Sequence, residues 1–224
     1  RDPVYRPIDI SANVLNELGG ALRKELPTLR YQAEQGEYFE AIERLFSDPA
    51  EPKAVLFLGS NIGNLDRERT IALMKSVAGH LGPSDRSLVG FDRKKDPATI
   101  LRAYNDRERH TAAFNLNLLR RINRELGADF DIAYFIHVPV YDPATGRALS
   151  YIVSTVEQDV HIDGLDRPVH FRAWEALHTE ISQKYDRSMI EDIAQHAGLR
   201  IAAEFTDTHG YFTDVVFAPN MQQP

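Results

Sequence analysis

Cysteine is absent from the 224 residues. This rules out disulfides, thiolate metal sites and a cysteine nucleophile, and a reducing, cytoplasmic setting is the simplest expectation. No apolar run approaches the roughly 20 residues needed to cross a bilayer, and no signal peptide is visible, so no membrane partner is expected. There is no long Lys/Arg run, and the net charge of −7 argues against a nucleic-acid surface. None of the eight histidines forms an HxxxH or HExxH pair, so no metal site is expected. No GxSxG elbow supports Ser/His/Asp catalysis. An initiator Met is missing too: the chain starts at Arg1 and enters a strand almost at once, which reads as the C-terminal part of a longer polypeptide.

What remains is the composition of an ordinary globular protein, 43% hydrophobic and 26% charged, long enough for a substantial core. Its most informative stretch is Leu56–Asp66, LFLGSNIGNLD. Val55, Leu56, Phe57 and Leu58 form the short apolar run of a central parallel strand. Gly59 and Gly63 then permit backbone angles that a side chain would forbid. Ligands of open α/β sheets lie beyond the carboxyl ends of strands, where Ser60, Asn61 and Asn64 would project. The plainer reading is a strand-to-helix turn with Ser and Asn as caps. The GxxxG of GSNIG lacks the P-loop lysine.

The pattern predicts a strand over Val4–Ile10, a helix from the Ser11 cap to about Leu26, a strand over Leu29–Gln35 and a helix over Tyr38–Phe46. A strand over Ala54–Leu58, a helix over Asp66–Leu81 and a strand over Ser87–Asp92 continue a βαβ alternation, which indicates a parallel sheet. Phe114, Leu118, Ile122 and Leu126 recur every four residues, predicting one helix over Asp106–Gly127. The period then becomes two on either side of the turn DPATG (Asp142–Gly146), a hairpin signal. Val160/Ile162 and Val169/Phe171 suggest a second pair. A helix over Arg187–Ala197 and an antiparallel pair, Arg200–Thr206 with Tyr211–Ala218, close the chain.

Three constellations could carry chemistry. Asp9 ends the first strand, where an acid can accept hydrogen bonds from ribose hydroxyls; it serves equally as a helix partner. Glu37, after Gly36, can meet an adenine edge or stand in solvent. In HTEISQKY, His178, Glu180 and Ser182 share one face if the segment is extended. A carboxylate and a hydroxyl two residues apart can grip a small polar ligand, although the plainer reading is a strand showing its polar face. Tyr104, by itself, reads as packing. No glycine-rich strand turn precedes Asp9.

Together YRPIDIS, LFLGSNIGNLD, GFDRKKDPATILRAYND, TAAFNLNLLRRINRELGADFD and HTEISQKY resemble the histidine Nα-methyltransferase family of ergothioneine biosynthesis, in order and in spacing. The resemblance implies a Rossmann-like class I methyltransferase sheet that lacks its first strand in this chain and carries an inserted antiparallel β excursion. Residues 1–135 would form the partial cofactor-binding core, 136–182 the β-rich substrate segment, and 183–224 the elements completing the sheet. S-adenosylmethionine is the implied cofactor and an amino acid the substrate. The resemblance assigns the α-amino group to Asn64 and the amine and carboxylate end to Tyr104, the two catalytic candidates. It assigns the imidazole nitrogens to Glu180 and Ser182, the ribose to Asp9, and the adenine to Glu37 and Tyr38. Gly59 and Ser60 would line the junction of cofactor and substrate. Ser150 stands where the family often has Met, making the pocket wall more polar. The family's first strand and glycine loop lie upstream of Asp9. This chain alone is therefore expected neither to hold the cofactor well nor to fold independently unless that N-terminal segment or a second copy fills the gap. The substrate could instead be another amino acid such as a tryptophan derivative, or the chain a non-catalytic binding remnant.

Overall fold

The computed structural model of the protein describes residues 3–45 and 52–220. Its first strand is two short ones, β1 (Val4–Tyr5) and β2 (Ile8–Asp9), interrupted by Arg6 and Pro7. Proline has no N–H to give to a ladder. The expected strand over 29–35 divides likewise into β3 (Arg30–Tyr31) and β4 (Glu34–Gln35). The pairs β1–β3 and β2–β4 are each parallel. Between them runs α1 (Ala12–Glu25), opened by Ser11, whose side chain accepts from the Val14 amide. The next helix, α2, spans Tyr38–Leu45; Phe46, its expected last residue, lies outside the described residues.

The main sheet has the order β12-β13-β6-β5. Strand β5 (Ala54–Phe57) pairs in parallel with β6 (Arg86–Asp92). A single 3-10 turn (Asn61–Asn64) and α3 (Arg67–Gly79) connect them, with Asp66 accepting from the Arg69 amide as the cap. Two helices follow, α4 (Pro97–Tyr104) and α5 (His110–Leu126). The predicted hairpin is β7 (Phe135–Asp142) and β8 (Arg147–Ser154). The short pair is β9 (Gln158–Val160) and β10 (Val169–Phe171). Strand β11 (Ala176–Gln183) adds to β8 in the order β11-β8-β7. The chain then returns to the main sheet through α6 (Arg187–Ala197), β12 (Leu199–Thr206) and β13 (Phe212–Pro219), the last antiparallel to both β12 and β6.

Two apolar clusters result. The larger joins α3, α6 and the main sheet through Ile62, Leu73, Met74, Phe91, Ile190 and Phe217. The smaller packs α5 under the β excursion through Leu119, Phe130, Phe135, Ile152 and Phe171. Among the described residues no strand pairs with the outer edge of β5, so it is an edge strand rather than the expected central one. Leu56 is 55% exposed and Leu58 45% exposed. Ile8 of β2 nevertheless packs on the same core as Val55 and Phe57. No helix of the described residues is long and apolar enough to cross a membrane.

The start of α6 yields a pH prediction. Asp186 accepts from the Ser188 hydroxyl (2.6 Å), the Lys94 ammonium (3.0 Å) and the Met189 amide (3.0 Å). These bonds, the Ser188 hydroxyl foremost, lower its pKa from 3.8 to about 2. A carboxyl that is more acidic when folded stabilises the fold above its unfolded pKa and loses that contribution as pH falls through its folded one. Asp186→Asn should thus lower the melting temperature at neutral pH, and its deficit relative to wild type should shrink as pH falls from 3.8 towards 2, followed by circular dichroism.

Candidate active site

The turn after β5 is built around two glycines with different tasks. Gly59 takes a positive φ of 72° with open space where a Cβ would stand, as the sequence suggests. Gly63 does not: its constraint is contact. A Cβ there would lie 2.8 Å from the carbonyl oxygen of Gln183 and 3.3 Å from its nitrogen. Only glycine lets the 3-10 turn press on the end of β11. Ser60, a non-glycine residue at φ 60°, accepts from the Asp92 amide through its hydroxyl at 3.1 Å. Asn64 ends the turn exposed, with no side-chain hydrogen bond among the described residues.

Strand β11 presents the second group. Its alternation is interrupted by a register shift between His178 and Glu180, which overturns the expectation that His178 shares a face with Glu180 and Ser182. The bulged residue, Thr179, is held by Asn115 Oδ1 (2.8 Å) and the Ser150 carbonyl (3.0 Å). His178 is exposed and packs on the ring of Tyr151. Beyond the bulge the period of two resumes, so Glu180 and Ser182 do share a face. Ser150 is directly opposite Glu180 in the ladder. Its hydroxyl is fully buried and makes no hydrogen bond.

Lys184, just past β11, ties these elements together. It is 3% exposed, and its ammonium donates to Asp92 Oδ2 (2.7 Å), Tyr104 Oη (2.7 Å) and Ser182 Oγ (2.8 Å). Burial acts to strip its charge, but the bonds to Asp92 and Tyr104 outweigh it and hold its pKa above the usual lysine value. The ammonium lies 5.0 Å from the Tyr104 ring centre. It approaches the hydroxyl edge, so this contact is a hydrogen bond and not a cation–π interaction. Asp92 also takes Lys95 at 2.6 Å through its other oxygen. Beside Tyr104 opens a polar cleft of about 350 Å³, bordered by Asp106, Arg107, Arg109 and His137. Of the expected site residues only Tyr104 lines it.

A third group lies against the carboxyl end of β5. Asp9 accepts from the Ser11 amide at 2.8 Å, the plainer of its two sequence readings. The same carboxylate and that of Glu37 face Tyr38: burial first, then these two charges, raise the Tyr38 phenol pKa. Tyr38 meets Phe57 edge-on at 5.3 Å. The three residues form one acidic, aromatic corner against β5.

A family model described as histidine-specific, SAM-dependent methyltransferase matches residues 2–219. The chain belongs to this methyltransferase family. It is 36% identical over 209 residues to histidine N-alpha-methyltransferase of Mycolicibacterium smegmatis, covering 93% of the chain and 64% of that protein. Against the enzyme of the same name from Mycobacterium tuberculosis it is 34% identical, with the same shares. The chain thus spans somewhat less than two thirds of the length of these relatives. In fold it resembles an S-adenosylmethionine-dependent methyltransferase from Clostridium acetobutylicum. That match has a TM-score of 0.52 and 11% identity, covering 97% of the chain and 75% of the other. It also resembles the CcbJ methyltransferase from Streptomyces caelestis, with a TM-score of 0.53, 12% identity, and 96% and 79% covered.

Lys184 and Asp92 are the residues of this hub that motif reading passed over. The signal was present for both, since Asp92 lies inside GFDRKKDPATILRAYND and Lys184 inside HTEISQKY. Nothing local marks Lys184, however, because its partners Tyr104 and Asp92 are 80 and 92 positions away. Asp106, Glu108 and His110 bring ligand-type atoms within 4.8 Å of one another, but both Asp106 oxygens are engaged by the His110 and Thr111 amides. Those bonds lower the Asp106 pKa to about 2, and the group reads as the cap of α5.

Gly63→Ala should destabilise the fold by about 1–3 kcal/mol, the cost of overpacking against backbone that cannot move aside. Denaturant titration measures it. Gly59→Ala, strained only by its positive φ, should cost about 1–2 kcal/mol without disturbing the β11 contact, as amide exchange at Gln183 would report.

Proposed function

We propose that the protein transfers methyl groups from S-adenosylmethionine to the α-amino nitrogen of L-histidine, up to the trimethylated betaine. The observation that supports this reading best is the pairing of Glu180 and Ser182 on one face of β11, after the bulge, with Ser182 bonded through Lys184 to Tyr104. An imidazole carries one N–H and one lone pair, and a carboxylate and a hydroxyl complement it. A purely apolar side chain would leave both unsatisfied.

The residues at the Asp9 corner fit the cofactor. Asp9 and Glu37 are acceptors suited to ribose hydroxyls and an amino edge, beside the Tyr38 ring, and the space over Gly59 is open. When bound, S-adenosylmethionine supplies an electrophilic methyl on sulfur. The amine that would receive it must present a free lone pair, and its proton would leave to water. Asn64 and Tyr104 orient the amino and carboxylate end without adding positive charge at the nucleophile, since a protonated amine has no lone pair to give. Orientation of this kind supplies much of the rate in such displacements. Gly59 and Ser60 shape the junction between the two sites. Ser150, opposite Glu180, forms the wall next to the ring.

One further strand is proposed on the free edge of β5, from polypeptide outside the described residues or from a second copy. The free edge of β5 and the exposed Leu56 and Leu58 support it, because an unpaired apolar edge is a template for strand addition. The cytoplasm is the proposed setting, in keeping with the lack of cysteine.

Mass spectrometry of histidine incubated with S-adenosylmethionine tests the reading, with the chain alone beside a version extended to the length of its relatives. Three added methyl groups, gained with the longer version, are expected. Glu180→Ala should reduce kcat/KM for histidine at least ~100-fold, the loss of a charge-assisted contact worth about 3 kcal/mol. Equal turnover of other amino acids by wild type, or indifference to Glu180→Ala, would reject histidine as the substrate.

A further inference from the structure

A hydroxyl has one proton and two lone pairs, so what it offers a ligand depends on what else it bonds. Tyr104 Oη and Ser182 Oγ each lie within 2.8 Å of the Lys184 ammonium. An ammonium has three protons and no lone pair. Here all three are directed at oxygens: Asp92 Oδ2, Tyr104 Oη and Ser182 Oγ. Neither hydroxyl can donate to Lys184, and neither has a second partner among the described residues. Both protons are therefore left for a ligand.

We propose that Lys184 is a positioning residue that turns Tyr104 and Ser182 into donors towards the bound amino acid and so selects histidine with its ring neutral. This inference rests on the methyltransferase reading above and deepens it. At Ser182 the facing ring nitrogen must carry a lone pair, and the other ring nitrogen gives its N–H to Glu180. A protonated ring would set N–H against the Ser182 proton and bring a second cation towards a buried ammonium. At Tyr104 the donor matches a carboxylate oxygen. Had it pointed at the amine, it would tie up the lone pair needed for attack.

The titratable groups around this point come from several elements, and the cleft beside Tyr104 adds Asp106, Arg107, Arg109 and His137. Glu180 and Lys184 come from β11 and its extension, Asp92 with its Lys95 partner from β6 and the segment after it, and Tyr104 from α4. Tyr141 of β7 joins them: burial raises its pKa, the Lys184 charge lowers it, and Asp142 and Asp92 raise it. Asp92 is already paired with both lysines. Glu180, placed to meet the ring, favours its charged form, and Lys184 opposes it.

The test is 15N NMR of labelled histidine bound together with S-adenosylhomocysteine, near pH 6, on the form of the protein that binds the latter in calorimetry. The ring should be neutral in wild type and protonated in Lys184→Met, with its apparent pKa raised by about one unit, a tenfold change in population. Lys184→Arg should restore the neutral ring. Lys184→Met should also weaken histidine binding about tenfold in wild type but little in a Ser182→Ala background. A protonated ring in wild type, or the same ring charge in wild type and Lys184→Met, overturns the proposal. The wild-type spectrum alone can refute it, even if Lys184→Met fails to fold. Absence of histidine binding would instead overturn the methyltransferase reading and this inference with it, whereas binding with a charged ring overturns only the role of Lys184.

Discussion

The backbone of Gln183 runs so close to Gly63 that no side chain fits between them, and the organisation of the site depends on that approach. It is where the β excursion, after some fifty residues away, comes back onto the turn that follows β5. The contact is sealed on both sides of Gln183. Tyr185, buried against Phe91, donates its hydroxyl to the Ile62 carbonyl and its amide to Asp92. Lys184, between them, is thereby delivered to the end of β6 and to α4. Two polypeptide regions with separate apolar clusters acquire a common polar centre because one glycine lets their backbones touch.

Polarity divides the site along the main sheet. At the β2–β4 corner, two carboxylates and a phenol supply acceptors suited to hydroxyl and amino donors, while the Arg44 guanidinium is held by Glu34 and the Gln35 carbonyl of β4. At the β11 end, a cation is buried, yet most of its field is spent on Asp92, which also holds Lys95. An unpaired buried lysine would shed its proton. This one is held charged by an acid and two hydroxyls, and what it presents outward is oriented O–H rather than positive charge. An amine nucleophile tolerates that environment, since it needs to lose a proton and not gain one.

Much of the architecture was legible because its determinants are local. Ser11 caps its helix as expected, and the helices capped by Asp66 and Asp186 begin within a residue of where the pattern puts them. DPATG closes the hairpin where the period changes to two. The four-residue spacing of Phe114, Leu118, Ile122 and Leu126 marks α5, although Phe114 is 73% exposed. The misreadings share one cause. Leu56 and Leu58 read as buried because apolar residues in a strand imply neighbours on both sides, and the neighbour on one side is not among the described strands. His178 read as a partner of Glu180 because alternation assumes an unbroken ladder, and Thr179 breaks it by bonding to Asn115 on α5, 64 positions away.

The sequence by itself determined the helix caps, the hairpin, the βα alternation and the family, since each rests on residues adjacent in the chain or on motifs read in order. It also named Glu180, Ser182, Tyr104 and Asn64. What only the tertiary structure decided is how those residues are joined. The bulge separates His178 from the rest, Gly63 matters through contact rather than φ, and Lys184 bonds residues 80 and 92 positions away. Local chemistry specifies an element through its own backbone, whereas a hydrogen-bonding hub exists only after packing has brought distant elements within about 3 Å of one atom.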